Sequence, residues 1–277
     1  MIIRRLFRRG LSGLLGFSLL CLFLNNPVSA ADRYKVFPEA ISLHGSRAFQ
    51  EVLVCRLEDG LATEAVATNQ LTSADPTIAR LENGRLIPVA DGKTRLTLAV
   101  KGETVNVPVA VTGMEKPVPI NFRNHVLPIL SKEGCNAGAC HGALAGKGGF
   151  RLSLHGYDPQ SDFHHITREA RGRRVELSDP GRSLLLTKPT TTVPHKGGKK
   201  LESGSPNYQI LADWIAAGAH PPSKDDPALT RLEILPEASK LKLGQQQPLI
   251  VLAHYSNGRT EDVTRWSKFT STNETVA

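Results

Sequence analysis

The sequence predicts a multidomain chain: an all-β sandwich, then a mostly α segment, then a second sandwich that is incomplete. Three observations predict this order. Residues 36–79 align without a gap on residues 234–277, at an offset of 198, which marks an internal repeat. Between the two copies, over residues 115–225, strand alternation fades, glycine clusters appear and helical spacing takes over. Each copy also carries a hairpin dipeptide after an alternating apolar run, Asp59-Gly60 in the first and Asn257-Gly258 in the second. Both central residues of such a turn need positive φ, which selects these pairs.

The chain opens on a targeting segment. Arg4, Arg5, Arg8 and Arg9 precede an apolar run from Leu11 to Leu24 that ends in Val28-Ser29-Ala30. A charged region, an apolar region and small residues at a cleavage point make a secretory signal peptide over residues 1–30. Cys21 lies inside it without a small residue before it, which argues against a lipid anchor. Cleavage removes four arginines and no acids, so the formal charge of +8 falls to 30 basic against 26 acidic residues. The basic balance therefore reports mostly targeting, and a nucleic-acid partner is not expected. After residue 30 no stretch has the 18 or more apolar residues of a membrane-spanning helix. The expected location is the periplasm or the cell surface.

The first sandwich is placed at residues 31–113. Pro38-Glu39-Ala40 matches Pro236-Glu237-Ala238, Val52-Leu53-Val54 matches Ile250-Val251-Leu252, and Thr72-Ser73 matches Thr270-Ser271. Only nine of the 44 aligned positions are identical, so the weight rests on the matches falling at turns and strands. Leu53, Cys55 and Leu57 share one face, as do Val251, Ala253 and Tyr255. Cys55 aligns with Ala253, which predicts a buried, inert thiol. The alternation at Leu96, Leu98, Val100 and then Val105, Val107, Val109 adds two strands joined near Lys101-Gly102. With its Asp-Gly hairpin and its Thr-Ser-x-x-x-x-Ile-Ala strand, this unit resembles a bacterial Ig-like domain of group 2. The second copy, residues 226–277, ends where the first still has strands to run, so the expectation is a cut-off second sandwich in a piece of a longer protein.

The insert, residues 114–225, carries the chemistry. Asn121 is expected to cap a helix running to about Lys132, and Ser205-Pro206 reads as the cap and first residue of a helix that Gly218 stops. Between them stands Gly134-Cys135-Asn136-Ala137-Gly138-Ala139-Cys140-His141-Gly142. Two thiols followed at once by histidine is the arrangement that attaches haem c, normally with two residues between the cysteines. Here there are four, Asn-Ala-Gly-Ala, small enough to bulge without displacing either sulfur. The alternatives at this point are a Cys135–Cys140 disulfide and a Cys/His zinc or copper site.

Further motifs extend the comparison. Asn121-Phe122, Val126-Leu127-Pro128-Ile129-Leu130, Cys-His-Gly, Leu177-Ser178-Asp179-Pro180-Gly181-Arg182-Ser183-Leu184-Leu185 and Trp214-Ile215-x-x-Gly218-Ala219 together resemble the cytochrome c domains of secreted planctomycete proteins. The resemblance implies a mostly α cytochrome c-like haem domain, one covalently attached haem c, thioether bonds to Cys135 and Cys140, and His141 as proximal iron ligand. In such domains a Met-Pro-Pro segment supplies the second axial ligand. This chain has Val193-Pro194-His195 there, and its only methionine beyond the signal segment is Met114. His195 is therefore the candidate distal ligand, with His155, His164 and His165 as competitors and an open sixth site as a further alternative. His44 and His254 belong to the sandwiches and are expected to bind nothing.

Arg168, Arg171, Arg173 and Arg174, with Lys188, Lys196, Lys199 and Lys200, form a basic stretch around this region. It reads mainly as a solvated face, with pairing to haem propionates or steering of an acidic redox protein as the functional alternative. No hydrolytic triad, phosphate loop or carboxylate pair stands out. The expected function is exported haem c electron transfer, with an unidentified redox protein as partner. The Ig-like units then act as spacers or adhesive modules with cell-surface or polysaccharide contacts. The alternative is a disulfide-stapled surface, scaffolding or adhesion module without haem.

Overall fold

The computed structural model describes residues 34–275 apart from 101 and 117. The expected signal peptide, with Cys21, and the end of the repeat at Val276-Ala277 lie outside the described residues.

The first unit holds β1 (Tyr34–Phe37), β2 (Ile41–His44), β3 (Gln50–Glu51), β4 (Leu53–Glu58), β5 (Leu61–Val66), β6 (Leu71–Ser73), β7 (Ala79–Glu82), β8 (Arg85–Pro88), β9 (Gly92–Val100) and β10 (Glu103–Thr112). They form three small sheets, ordered β1-β4-β5, β2-β10-β9-β6 and β3-β8-β7. The β2–β10 pair is parallel, whereas β9 and β10 make the long antiparallel hairpin. Period-two alternation turns Leu96, Leu98, Val107 and Val109 inward, where they meet Leu43, Val54 and Leu86 in one buried core. Asp59 and Gly60 both have positive φ, as the hairpin they close requires.

The middle of the chain corrects the expected fold class. A mostly α cytochrome c-like domain is not formed; the protein is mostly β, in four small sheets. Among the described residues, 114–225 hold four short α-helices: α1 (Leu127–Lys132), α2 (Pro159–Thr167), α3 (Leu184–Thr187) and α4 (Pro206–Ala216). The reason lies in the connecting sequence. Gly134, Gly146, Gly148, Gly149, Gly156 and Gly172 all sit at positive φ, and a left-handed residue ends a right-handed helix. Irregular loops therefore carry most of this unit, and its core comes from Phe122, Ile129, Ile166, Leu186, Leu211 and Trp214. One wide π-type turn, Phe122–Val126, leads into α1. Asn121 does not cap it with its side chain, which instead donates to the Asp226 carboxylate at 2.8 Å. Ser205 does cap α4, accepting from the Tyr208 amide at 3.2 Å. No described helix is long and apolar enough to cross a membrane.

The last unit is one three-stranded sheet, β11 (Leu229–Leu235), β12 (Ile250–Tyr255) and β13 (Thr260–Asp262), with a small buried cluster of its own at Val251, Ala253, Tyr255 and Val263. The sheet lies on the outer face of β1-β4-β5, where Ile250 and Leu252 pack with Phe37, Leu53, Cys55 and Ala62. The repeat is real in its strands but not in its register. In the first unit Val36 pairs with Val54 and Phe37 with Leu53; by the offset, Leu235 should face Val251. It faces Ile250. A one-residue slip turns a strand over, so Ile234, the counterpart of fully buried Val36, is left about half exposed.

Polar contacts lock the three units together. The buried Asp262 carboxylate accepts from Gln50 Nε2 at 3.0 Å and from the Glu51 amide at 2.8 Å. Trp266 Nε1 donates to Asn207 on α4 at 3.0 Å, and Lys132 at the end of α1 donates to the Ser267 carbonyl at 2.6 Å.

Candidate functional site

The Cys/His loop begins where α1 is forced to stop. Gly134 takes φ +75°, its amide reaches the Ser131 carbonyl at 3.1 Å, and the Cys135 amide reaches Leu130 at 2.8 Å. That double closure is the Schellman arrangement, and it fixes Cys135 directly after the helix. The loop then doubles back, with the His141 amide donating to the Cys135 carbonyl at 3.0 Å. The four residues between the cysteines are thus taken up in a compact bulge. Gly142 seals it: a Cβ there would fall 2.1 Å from the Asn136 carbonyl oxygen. Asn136 is fully buried under the bulge and donates to Ser131 Oγ at 2.8 Å.

His141 is held by its Nδ1, which lies 3.0 Å from the Phe150 carbonyl. Against a carbonyl, Nδ1 must carry the proton and donate, which leaves the Nε2 lone pair free. Burial is the largest influence on this imidazole and pushes its pKa down from the ordinary value; the bond to Phe150 opposes it and nearby His195 adds to it. His141 is neutral at pH 7. The Cys135 thiol is pushed up to about 12, by burial first and the Glu133 carboxylate second, so it stays protonated. Cys135 and Cys140 are both free, with no bond between them.

His195 arrives from the far side of the fold. The turn after α3 is closed by the Val193 amide on the Thr187 carbonyl at 3.1 Å, and Lys188 Nζ donates to Pro194 at 2.9 Å. The His195 Nδ1 lies 2.7 Å from the Gly198 carbonyl, so here too Nδ1 donates and Nε2 is free. Gly197 allows this, because a Cβ there would sit 2.8 Å from the ring's Cε1.

Both cysteines and both histidines line a single cavity of about 800 Å³. That falls in the usual range of about 300–1,000 Å³ for small-molecule and cofactor sites. Its walls are apolar, from Leu130, Leu152, Leu184, Leu185, Leu201 and Leu211, and its rim is basic, from Lys147, Arg173, Lys188, Lys196 and Lys200 against Glu133 alone. The competing histidines are elsewhere. His155 and His164 are exposed, His165 meets His164 edge-on with ring centroids 6.0 Å apart, and none of the three lines the cavity. His44 and His254 sit on the β-units, bonded to Thr112 and to Glu233. Cys55 is fully buried between the first and last units.

No protein-family model and no curated protein matches this chain.

The site therefore has to be read from its own chemistry. Among the described residues no group of three or more His, Cys, Asp or Glu converges as a metal-holding cluster. Cys135, Cys140, His141 and His195 instead line one large, mainly apolar cavity. One residue escaped the sequence reading, and another was placed in a mainly solvated stretch. Arg174, taken as part of a solvated basic face, is only 5% exposed and lines the cavity, and Phe150 supplies the carbonyl that orients His141. Their signal was the glycine-rich Gly146–Gly149 stretch, which needs an anchor from outside itself.

Proposed function

We propose that the chain is an exported haem c-binding electron-transfer protein. Cys135 and Cys140 carry the thioether bonds, His141 is the proximal ligand and His195 the distal one. The observation that carries this reading is the shared cavity, lined by two free thiols and by two imidazoles that are each tied at Nδ1 to a backbone carbonyl. Metal-ligating histidines are oriented in just this manner, by a second hydrogen bond through the other ring nitrogen.

Haem supplies an iron that cycles between ferrous and ferric states, one electron at a time. The residues do the rest. Cys135 and Cys140 would hold the group covalently, through two thioether bonds. His141 and His195 would hold the iron through Nε2, and two imidazoles would set a lower potential than histidine with methionine. The leucine walls exclude water, and the basic rim offers Lys188, Lys196 and Lys200 to anionic groups. The attachment chemistry sits on a loop-rich unit with short helices. The β-units on either side serve as spacers or adhesive modules, and the partner is a redox protein met outside the cytoplasm.

The test is covalent attachment. The chain is co-expressed with a c-type haem maturation system and extracted under denaturing conditions. Haem absorbance is expected to stay with the polypeptide and to vanish when Cys135→Ala and Cys140→Ala are combined. A colourless protein with Cys135 and Cys140 oxidised to each other would overturn the reading in favour of a stapled module.

A further inference from the structure

We infer that Arg174 is the positioning residue for His141, acting through Phe150. The loop that offers the Phe150 carbonyl is unusually free by composition. Gly146, Gly148 and Gly149 all sit at positive φ, and around Gly148 and Gly149 nothing lies within 4 Å of where a Cβ would be. Glycines lose the most conformational freedom on ordering, so a segment of this kind does not hold a carbonyl still by itself. Its internal ties are two amide bonds between Lys147 and Phe150, of 2.9 and 3.3 Å.

Arg174 provides the anchor. Its guanidinium donates to the Gly149 carbonyl at 2.9 Å, to His165 at 2.8 Å and to Glu169 at 3.2 Å. The Glu169 carboxylate lies 3.0 Å from it. The same group stacks on the Phe150 ring, 4.4 Å from the centroid, and that ring lies 4.5 Å from the imidazole of His141. One planar fork thus joins the glycine loop to the end of α2. Lysine has a single ammonium and no flat face, and cannot replace it.

The inference rests on the haem reading for its first test and not for its second. In the haem-loaded chain, Arg174→Lys keeps the charge and loses the fork. A weaker Nδ1 bond makes His141 a poorer donor to the ferric state, so the midpoint potential is expected to rise in R174K with covalent haem content unchanged. Loss of charge acts the opposite way, so Arg174→Gln should rise less. A potential in R174K equal to that of the parent overturns the inference.

In the cofactor-free chain, exchange of the Lys147 amide, which donates to the Phe150 carbonyl, is expected to quicken by about tenfold in R174K. Unchanged exchange overturns the inference even if no haem is ever attached, whereas absent haem with quickened exchange strikes only the electron-transfer reading. Should R174K fail to fold, Phe150→Leu keeps the carbonyl and removes the stacked ring; exchange at Lys147 must still quicken.

Discussion

Gly197 lies directly beneath the imidazole of His195, so close that a Cβ on it would fall 2.8 Å from Cε1 and 3.1 Å from Nε2. Gly197 is not among the residues with positive φ, so its smallness, not its flexibility, is what the site uses. Gly197→Ala is expected to push the ring aside. In the haem-loaded protein the six-coordinate low-spin spectrum should weaken towards that of His195→Ala, with covalent attachment intact. Added imidazole should bind about tenfold more tightly, a difference of about 1.4 kcal/mol. An unchanged spectrum in H195A would remove His195 as a ligand.

A second glycine makes the complementary case. A Cβ at Gly142 meets the Asn136 carbonyl at 2.1 Å, and backbone cannot step aside as a side chain can. Gly142→Ala is expected to cost about 2–3 kcal/mol in urea unfolding and to lower the yield of attached haem. Gly148→Ala, in open space at φ +62°, should cost about 1 kcal/mol and spare attachment. Equal costs would mean that the bulge between the cysteines is not held as described.

Acid should loosen the junction of the units. His125 is largely buried beside Trp266, with ring centroids 6.0 Å apart and its Nδ1 accepting from the Asn121 amide at 2.9 Å. Burial first, then Arg259, Arg47 and Arg265, push it down to about 4 from 6.5. The folded state thus binds fewer protons than the unfolded one between those values, so stability is present above pH 6.5 and is lost as pH falls through 4. Between pH 7 and 5 the loss from this group is about 2 kcal/mol. Asp262, raised mainly by burial, works in the opposite sense. Unfolding of His125→Gln at both pH values isolates the histidine: its pH slope should be the shallower one.

The Asp262 carboxylate fastens the last sheet through Gln50, the Glu51 amide and the Thr264 amide, the last at 2.9 Å. Asp262→Ala leaves those donors without acceptors, at about 2–3 kcal/mol. Hydrogen exchange should locate the damage: amides of β12 exchange faster, while those of the β9–β10 hairpin do not change.

Much of this was legible in the sequence, and what was not has a common cause. The hairpin glycines, the Ser205 cap, the inert Cys55 and the grouping of Cys135, Cys140 and His141 each rest on local rules, and local rules read well. The expectation of a mostly α middle came with the cytochrome c resemblance; the helices at Leu127 and Tyr208 form, but glycines at positive φ break up the chain between them. Register was invisible: the gapless repeat could not show that Leu235 would face Ile250. Arg174 was misread for a similar reason. Its burial depends on Gly149, His165 and Glu169 arriving around it from separate elements, and nothing within a few residues announces that.

The packing of one copy on the other has a chemical consequence at Cys55. The outer face of β4 is covered by Ile250 and Leu252 of the last sheet, and the thiol beneath them has no exposure and a pKa raised by burial, with Gln247 Nε2 3.5 Å away. Such a thiol is unreactive while the sheets stay closed, because the thiolate is the reacting species. Once Cys135 and Cys140 are bonded elsewhere or replaced, its rate of alkylation becomes a clock for the separation of two units that the duplication left pressed face to face.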